Sequence, residues 1–134
     1  MAKIVILDDA REVRQLADES LSLEGHEVRT TWVSAEAIDL AYLFDPDLLI
    51  ADWDLQSDYN GFEVAEAFQA VNANIKTIVT SKHRSIQKKF SHSSLDPCAN
   101  KFGLVGSLAK PFSITALTHT VNIALAARAQ YHNS

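Results

Sequence analysis

Residues 48–54 read Leu-Leu-Ile-Ala-Asp-Trp-Asp, four apolar residues followed by two aspartates on either side of a tryptophan. A short apolar run without alternating polar side chains indicates a β-strand buried on both faces, which is typical of a parallel sheet. Carboxylates directly after such a strand lie at the carboxyl edge of the sheet, where α/β folds place their ligand sites. This segment therefore predicts a parallel α/β sheet and a functional site at the carboxyl edge of that sheet.

Four further segments complete the predicted sheet. Three of them are apolar in the same way and cover residues 4–7, 75–80 and 105–109. Residues 27–32 alternate instead, with Val28, Thr30 and Trp32 on one side, which indicates a less buried strand at an edge of the sheet. The sequence therefore contains five candidate strands.

Patterns of helical spacing lie between these strands. The first covers residues 13–21, and Gly25 lies just past its end as a C-terminal cap. Ser34 is predicted to cap a second helix that runs to about residue 44. Gly61 precedes a third helix whose apolar positions face inward.

The last part of the chain is less regular. Residues 81–103 are the hardest to interpret, and a short helix at residues 86–90 followed by a polar loop is the expectation there. Ser113 is predicted to cap a last helix with an apolar stripe. The order is β-α repeated five times, which predicts an α/β fold with a parallel sheet and helices on both faces.

The composition limits the classes of function. The chain has 134 residues, one cysteine and a net charge of −5 from 12 basic and 17 acidic residues. A single domain covering residues 1–134 is expected from this length. The acidic balance argues against a dedicated nucleic-acid surface, and no apolar run approaches the length of a membrane span. The lone cysteine and the lack of a recognisable targeting signal favour a cytoplasmic protein.

Chemically active side chains follow four of the five predicted strands. In chain order they are Asp8, Asp9, Asp52, Asp54, Thr80 and Lys110. Because the carboxyl ends of parallel strands meet at one edge, these groups are expected to gather there. Carboxylates held close together repel one another, and a hard divalent cation such as Mg²⁺ relieves that repulsion. One of them can then attack phosphorus and form an aspartyl phosphate.

These residues, in this order, resemble the receiver domains of response regulators, the phosphoacceptor proteins of two-component phosphorelay signal transduction. The resemblance extends over nearly the whole chain and includes Lys110-Pro111-Phe112 after the last strand. It implies a flavodoxin-like (βα)5 fold, which is a doubly wound five-stranded parallel sheet with strand order 2-1-3-4-5. It also implies a cis peptide bond between Lys110 and Pro111.

The resemblance assigns expected roles to the acidic residues. Asp52 is the expected phosphoacceptor, which would make the chain a phosphoprotein carrying 4-aspartylphosphate. Asp9, Asp52 and the backbone carbonyl of Asp54 are expected to hold Mg²⁺ or Mn²⁺, with Asp8 acting through metal-bound water.

The resemblance also implies partners and an output. Thr80 and Lys110 are expected to contact the phosphoryl group, and Thr80 couples it to loop movement. A sensor histidine kinase or histidine phosphotransfer protein supplies that group from phosphohistidine. A downstream protein is expected to bind the face formed by the fourth helix, the last strand and the last helix. The chain would lose the phosphoryl group by autodephosphorylation, without turnover of a separate substrate and without direct contact to nucleic acid or membrane.

Two features depart from the family pattern, in which the positions of Asp54 and Lys82 influence how fast the phosphoryl group is lost. Ser107 stands three positions before the lysine, where many relatives carry an aromatic residue that moves inward with the hydroxyl. The segment between Thr80 and Lys110 is several residues longer than usual. Asp54 and Lys82 either pair across the mouth of the site and slow the loss of the phosphoryl group, or form an exposed pair of little energy.

Two other functions stay open at this point. Residues 52–54 resemble the Asp-x-Asp motif of haloacid-dehalogenase-type phosphohydrolases, although that motif follows the first strand and here it follows the third. A pseudo-receiver binds partners without being phosphorylated, and Ser107 together with the altered segment after Ser81 keeps that hypothesis open. Turnover of a phosphate ester, or phosphorylation by a small phosphodonor, separates these functions.

Overall fold

The computed structural model of the chain describes residues 1–55, 58–82 and 103–133. It contains one sheet of five parallel strands in the order β2-β1-β3-β4-β5. The strands are β1 (Lys3–Leu7), β2 (Glu27–Thr31), β3 (Leu48–Asp52), β4 (Lys76–Ser81) and β5 (Leu104–Ala109). The parallel pairing, the strand order and the edge position of β2 confirm the predicted flavodoxin-like sheet.

Helices cover both faces of this sheet, as a doubly wound fold requires. Those in the described part of the chain are α1 (Arg11–Leu23), α2 (Ser34–Leu43), α3 (Gly61–Val71) and α4 (Ile114–Asn133). None of these helices combines the length and the apolar character that crossing a membrane requires. The short helix predicted at residues 86–90 lies outside the described residues.

Alternate side chains of the inner strands build one core on each face of the sheet. Val5 and Leu49 pack with Phe68 in the core under α2 and α3. Ile4 packs with Leu117 in the core under α1 and α4. Each fully buried aliphatic or aromatic side chain contributes about 1.5–3 kcal/mol of transfer free energy. Because β1 and β3 are held in this way on both faces, their carboxyl ends are fixed positions on which a site can be built.

The helix ends follow the sequence predictions in part. Gly25 follows α1 with a φ of 92°, and the hydroxyl of Ser113 accepts a hydrogen bond from the backbone N–H of Ala116 at 3.0 Å. The predicted cap at Ser34 is wrong, because α2 begins at this residue and no side chain caps the helix. The Ser34 hydroxyl instead accepts a hydrogen bond from the backbone N–H of Tyr59 at 3.1 Å. This hydroxyl is therefore used in a long-range contact to the loop before α3.

Candidate functional site

The carboxyl ends of four strands bring the candidate residues to one edge of the sheet. Asp52 is the last residue of β3, Asp8 directly follows β1, and Lys110 directly follows β5. Thr80 lies opposite Asp52 in the ladder between β3 and β4. The structure therefore gathers at this edge the residues that the sequence predicted to meet there. The peptide bond between Lys110 and Pro111 is cis, as expected.

The ammonium group of Lys110 lies between two buried carboxylates. Its Nζ is 2.8 Å from Oδ2 of Asp8 and 3.1 Å from Oδ2 of Asp52. The Lys110 side chain is 7% exposed and both aspartate side chains are 2% exposed. Ion pairs shielded from water in this way are screened far less by salt than surface pairs. One cation thus offsets the repulsion between two anions.

Burial and charge shift the ionisation of two groups in this cluster. Burial raises the pKa of Asp52 and the charge of Asp8 adds to the effect, while the backbone N–H of Asp54 and the Lys110 ammonium oppose it. Burial by itself would lower the pKa of Lys110, but its contacts with Asp8 and Asp52 outweigh that effect and raise it. The protonated form of Lys110 is therefore favoured, whereas burial disfavours the ionised form of Asp52.

Asp8 is fixed by contacts on every polar group it has. Its Oδ1 accepts a hydrogen bond from the backbone N–H of Ala10 at 2.9 Å, and its own N–H donates to the carbonyl of Thr31 at 3.1 Å. The guanidinium of Arg14 donates to the Asp8 carbonyl at 2.8 Å. Arg14 was not predicted as part of the site, because its only signal in the sequence is a basic side chain on the first turns of a helix that follows an acidic pair.

Three carboxylates are close enough to share one cation. Ligand oxygens of Asp8, Asp9 and Asp52 all lie within 4.8 Å of one another, with Asp9 exposed and the other two buried. A set of carboxylate oxygens with an open, solvated side suits Mg²⁺ or Mn²⁺, which keep several waters. The donor set therefore fits the divalent cation expected from the sequence.

Thr80 brings a hydroxyl group to the same edge. The residue is 1% exposed, and its Oγ1 has no hydrogen-bond partner among the residues that the structure describes. Its carbonyl accepts a hydrogen bond from the backbone N–H of Trp53 at 2.9 Å, which ties it to the end of β3. A buried hydroxyl in that state favours an added acceptor, such as an oxygen of a bound phosphoryl group.

Asp54 connects the ends of β3 and β4. Its backbone N–H donates to Oδ1 of Asp52 at 2.9 Å. Its Oδ2 accepts hydrogen bonds from the backbone N–H of Lys82 at 3.0 Å and from the hydroxyl of Ser81 at 3.3 Å. Lys82 thus reaches Asp54 through its main chain, whereas the proposed pairing of the Lys82 ammonium with Asp54 stays a prediction.

The start of α3 packs closely against the end of β3 next to the site. Trp53 is 8% exposed and its ring packs edge-on against Phe62 with the ring centroids 4.2 Å apart. A Cβ atom added to Gly61 would lie 2.6 Å from the Trp53 ring and 3.0 Å from the carbonyl oxygen of Asp52. A side chain at position 61 would therefore force the Trp53 ring to shift. The sequence had indicated Gly61 only as the residue before a helix, and the helix begins at Gly61 itself.

A cleft of about 650 Å³ opens directly on the carboxylates. The cleft is lined by charged residues, which include Asp52, and by the apolar residues Val13, Leu16 and Phe112. Ser107, the residue in place of the usual aromatic, is half-buried in β5.

A family model matches most of the chain. The model described as "Response regulator receiver domain" matches residues 4–122. Among curated proteins, the response regulator MprA of Mycobacterium avium (strain 104) is 27% identical over 115 residues, which are 86% of this chain and 47% of that protein. MprA of Mycobacterium tuberculosis (strain ATCC 25618 / H37Rv) is also 27% identical over 115 residues. The chain spans about half the length of these curated relatives.

Solved structures are similar to the chain over almost its full length. NtrX from Brucella abortus matches with a TM-score of 0.84 and 26% identity, covering 98% of this chain and 28% of that one. Chemotaxis protein CheY4 from Vibrio cholerae matches with a TM-score of 0.77 and 27% identity, covering 91% of this chain and 97% of that one. The likeness to the first is thus to one part of a longer protein, and to the second it is to a whole chain.

Proposed function

The chain belongs to the response regulator receiver domain family, and on this basis we propose that it is a phosphoacceptor of a two-component phosphorelay, with Asp52 as the residue that is phosphorylated. The observation that carries the proposal is the buried Lys110 ammonium, which contacts Asp52 and Asp8 at the ends of three different strands. A carboxylate held next to a fixed cation can accept a dianionic group that it would otherwise repel.

The proposed reaction moves a phosphoryl group from a phosphohistidine to Asp52. An oxygen of the Asp52 carboxylate forms a bond to phosphorus while the bond between phosphorus and the histidine nitrogen breaks. The released imidazole takes up a proton from solvent. Raising the pKa of Asp52 increases the basicity of the attacking oxygen.

The residues proposed to hold Mg²⁺ or Mn²⁺ are Asp9, Asp52 and the backbone carbonyl of Asp54, with Asp8 acting through water. The metal, when bound, supplies positive charge to the phosphoryl oxygens. This chain's own contribution is to keep Lys110 protonated beside the acceptor and to keep Asp8 in place. The proximity of Asp8, Asp9 and Asp52 supports this set.

The proposed switch begins at Thr80. Its buried hydroxyl donates to an oxygen of the new phosphoryl group, which draws the end of β4 toward Asp52. We propose that the altered surface around β5 and α4 binds a downstream protein, and that Ser107 makes the internal part of this switch different from one based on an aromatic residue. The phosphodonor is proposed to be a sensor histidine kinase or a histidine phosphotransfer protein.

Further parts of the proposal concern the chain as a whole. We propose that residues 1–134 form a single receiver domain, that it acts in the cytoplasm, and that it turns over no separate substrate. Neither nucleic acid nor membrane is proposed as a direct partner.

The proposal is tested by incubating the protein with Mg²⁺ and a small phosphodonor and measuring the intact mass. The expected result is one added phosphoryl group in the wild type and none in Asp52→Asn. Asp58→Asn is the matched control, because Asp58 is an exposed aspartate between β3 and α3, and it should be phosphorylated like the wild type. An unmodified wild type would support the pseudo-receiver, and sustained release of phosphate from a phosphate ester would support the phosphohydrolase.

A further inference from the structure

Two neighbouring carboxylates at the end of β1 face the same point. Asp8 and Asp9 are consecutive residues, and in an extended strand consecutive side chains point to opposite faces of the sheet. Carboxylate oxygens of both residues nevertheless lie within 4.8 Å of each other and of an oxygen of Asp52. The backbone between Asp8 and Asp9 must therefore leave the extended geometry of β1, and the new geometry needs contacts that hold it.

Three hydrogen bonds of Asp8 hold this change of direction. Its N–H still continues the sheet by donating to the carbonyl of Thr31 at 3.1 Å. Its Oδ1 accepts a hydrogen bond from the backbone N–H of Ala10 at 2.9 Å, which closes a turn across Asp9. Its carbonyl accepts a hydrogen bond from the guanidinium of Arg14 at 2.8 Å. This carbonyl belongs to the peptide group that joins the two aspartates, so Arg14 fixes the orientation of that peptide.

Arg14 reaches this peptide from a fixed place on α1. Its backbone N–H donates to the carbonyl of Ala10 at 3.1 Å in the first turn of the helix, and the residue is half-buried. Among the described residues that line the cleft, α1 contributes Glu12, Val13 and Leu16, and Arg14 is not one of them. Replacing Arg14 therefore leaves the lining of the cleft as it is.

We propose that Arg14 is a positioning residue that orients the peptide between Asp8 and Asp9 so that both carboxylates face one divalent cation. The inference rests on the proposed function, which assigns these carboxylates to Mg²⁺ or Mn²⁺. A charged donor forms a stronger hydrogen bond with a carbonyl than a neutral donor does, so a guanidinium suits this task.

Charge and positioning have opposite effects on the affinity for a cation. By its charge alone, a guanidinium close to three carboxylates weakens the binding of another cation. By holding the peptide between Asp8 and Asp9, the same group strengthens that binding, since groups that orient metal ligands raise the affinity for the metal. The direction of the change after Arg14 is replaced therefore separates the two effects.

Binding of Mn²⁺ alone tests the proposal, because electron paramagnetic resonance counts the free ion directly at constant ionic strength and without a phosphodonor. Arg14→Met removes the donor and keeps a side chain that favours a helix, and its dissociation constant for Mn²⁺ should be on the order of tenfold higher. Arg14→Lys keeps a charged donor and should recover most of the affinity. Arg11→Met is the matched control, since Arg11 is an exposed arginine at the start of α1. It removes the same charge, and its dissociation constant should be unchanged or slightly lower.

Amide hydrogen exchange in the metal-free protein provides a second readout. The N–H of Ala10 is bonded to Oδ1 of Asp8 in the turn that Arg14 holds. It should exchange roughly tenfold faster in Arg14→Met than in the wild type, and at the wild-type rate in Arg11→Met.

Three results would overturn the inference. One is Mn²⁺ binding in Arg14→Met that is equal to or tighter than in the wild type. Another is a lower urea midpoint with unchanged Mn²⁺ affinity, because Arg14 would then serve stability alone. The third is unchanged exchange of the Ala10 N–H in Arg14→Met. Failure of the proposed function has a different signature, which is a wild type that binds Mn²⁺ and responds to Arg14→Met as expected but accepts no phosphoryl group. That result supports the positioning role and contradicts phosphorylation.

Discussion

Replacing Lys110 by methionine removes the charge that holds the acidic cluster together while keeping most of the side-chain volume. The Lys110 side chain is 7% exposed, and it is the cation in contact with two carboxylates that are each 2% exposed. Loss of one partner from a buried ion pair lowers the free energy of unfolding by about 3–5 kcal/mol, because a charge is left buried without compensation.

The cost has an upper limit set by protonation. One of the carboxylates in the variant can bind a proton, which removes the repulsion between them. Protonating an aspartate at pH 7 costs about 4 kcal/mol of free energy, because pH 7 is roughly three units above an ordinary aspartate pKa and each unit is worth about 1.4 kcal/mol. We therefore expect Lys110→Met to lose about 3–4 kcal/mol at pH 7. At pH 5 the same relief takes roughly 1.5 kcal/mol, so the loss should shrink accordingly.

The sign of the pH dependence follows from linkage. In the variant the folded state binds a proton more readily than the unfolded state, so the variant becomes more stable as the pH falls from 7 to 5. In the wild type the raised pKa of Lys110 keeps the ammonium charged throughout this range, since its contribution is lost only above the ordinary lysine value. The difference between the two proteins should therefore narrow on acidification.

The assay is urea unfolding of both proteins at pH 5, 6 and 7 in the presence of a chelator. Lys82→Met is the matched control, because Lys82 lines the same cleft as an exposed lysine, and its unfolding midpoint should stay at the wild-type value. Mg²⁺ added to Lys110→Met should recover part of the loss, because it replaces the missing positive charge. A loss below about 1 kcal/mol at pH 7, or one that does not change with pH, would refute the reasoning.

Two further predictions concern the acceptor and its support. Asp52→Asn should raise the thermal midpoint of the metal-free protein, and by more as the pH rises, because burial raises the pKa of Asp52 and its contribution to folding is lost as the pH rises through that pKa. Lys110 keeps Asp8 as its partner in this variant, and a midpoint below that of the wild type would contradict the prediction. Gly61→Ala should lower the free energy of unfolding by about 1–3 kcal/mol and change the Trp53 emission, since the added Cβ would lie 2.6 Å from the Trp53 ring. Urea unfolding followed by tryptophan fluorescence measures both effects. A variant with the full stability of the wild type would count against the contact.

The fold was predictable because its main signals are local. The buried strands β1 and β3 are uninterrupted apolar runs, and the carboxylates that follow them locate the edge where the site is built. Gly25 and Ser113 act as caps within a few residues of where they stand, so short-range rules were sufficient for them. Ser34 failed because its hydroxyl is used by Tyr59, which is far away in sequence.

The candidate site was predictable as a set of residues and not as a network of contacts. Order along the chain and parallel strands are enough to bring Asp8, Asp52 and Lys110 to one edge of the sheet. The hydrogen bond from Arg14 to the Asp8 carbonyl and the tight packing at Gly61 depend on how a helix lies on a strand end, which no local pattern encodes. The chemical roles of these residues stay predictions until phosphorylation is measured.

The two tryptophans differ in solvent exposure, so their fluorescence can be distinguished. Trp32 is 61% exposed, whereas Trp53 is 8% exposed and directly follows the last residue of β3. A water-soluble collisional quencher will therefore suppress emission from the first and spare the second. The light that survives quenching comes from an indole adjacent in sequence to Asp52, so events at this carboxylate can be followed in real time without labels, mutations or a coupled assay.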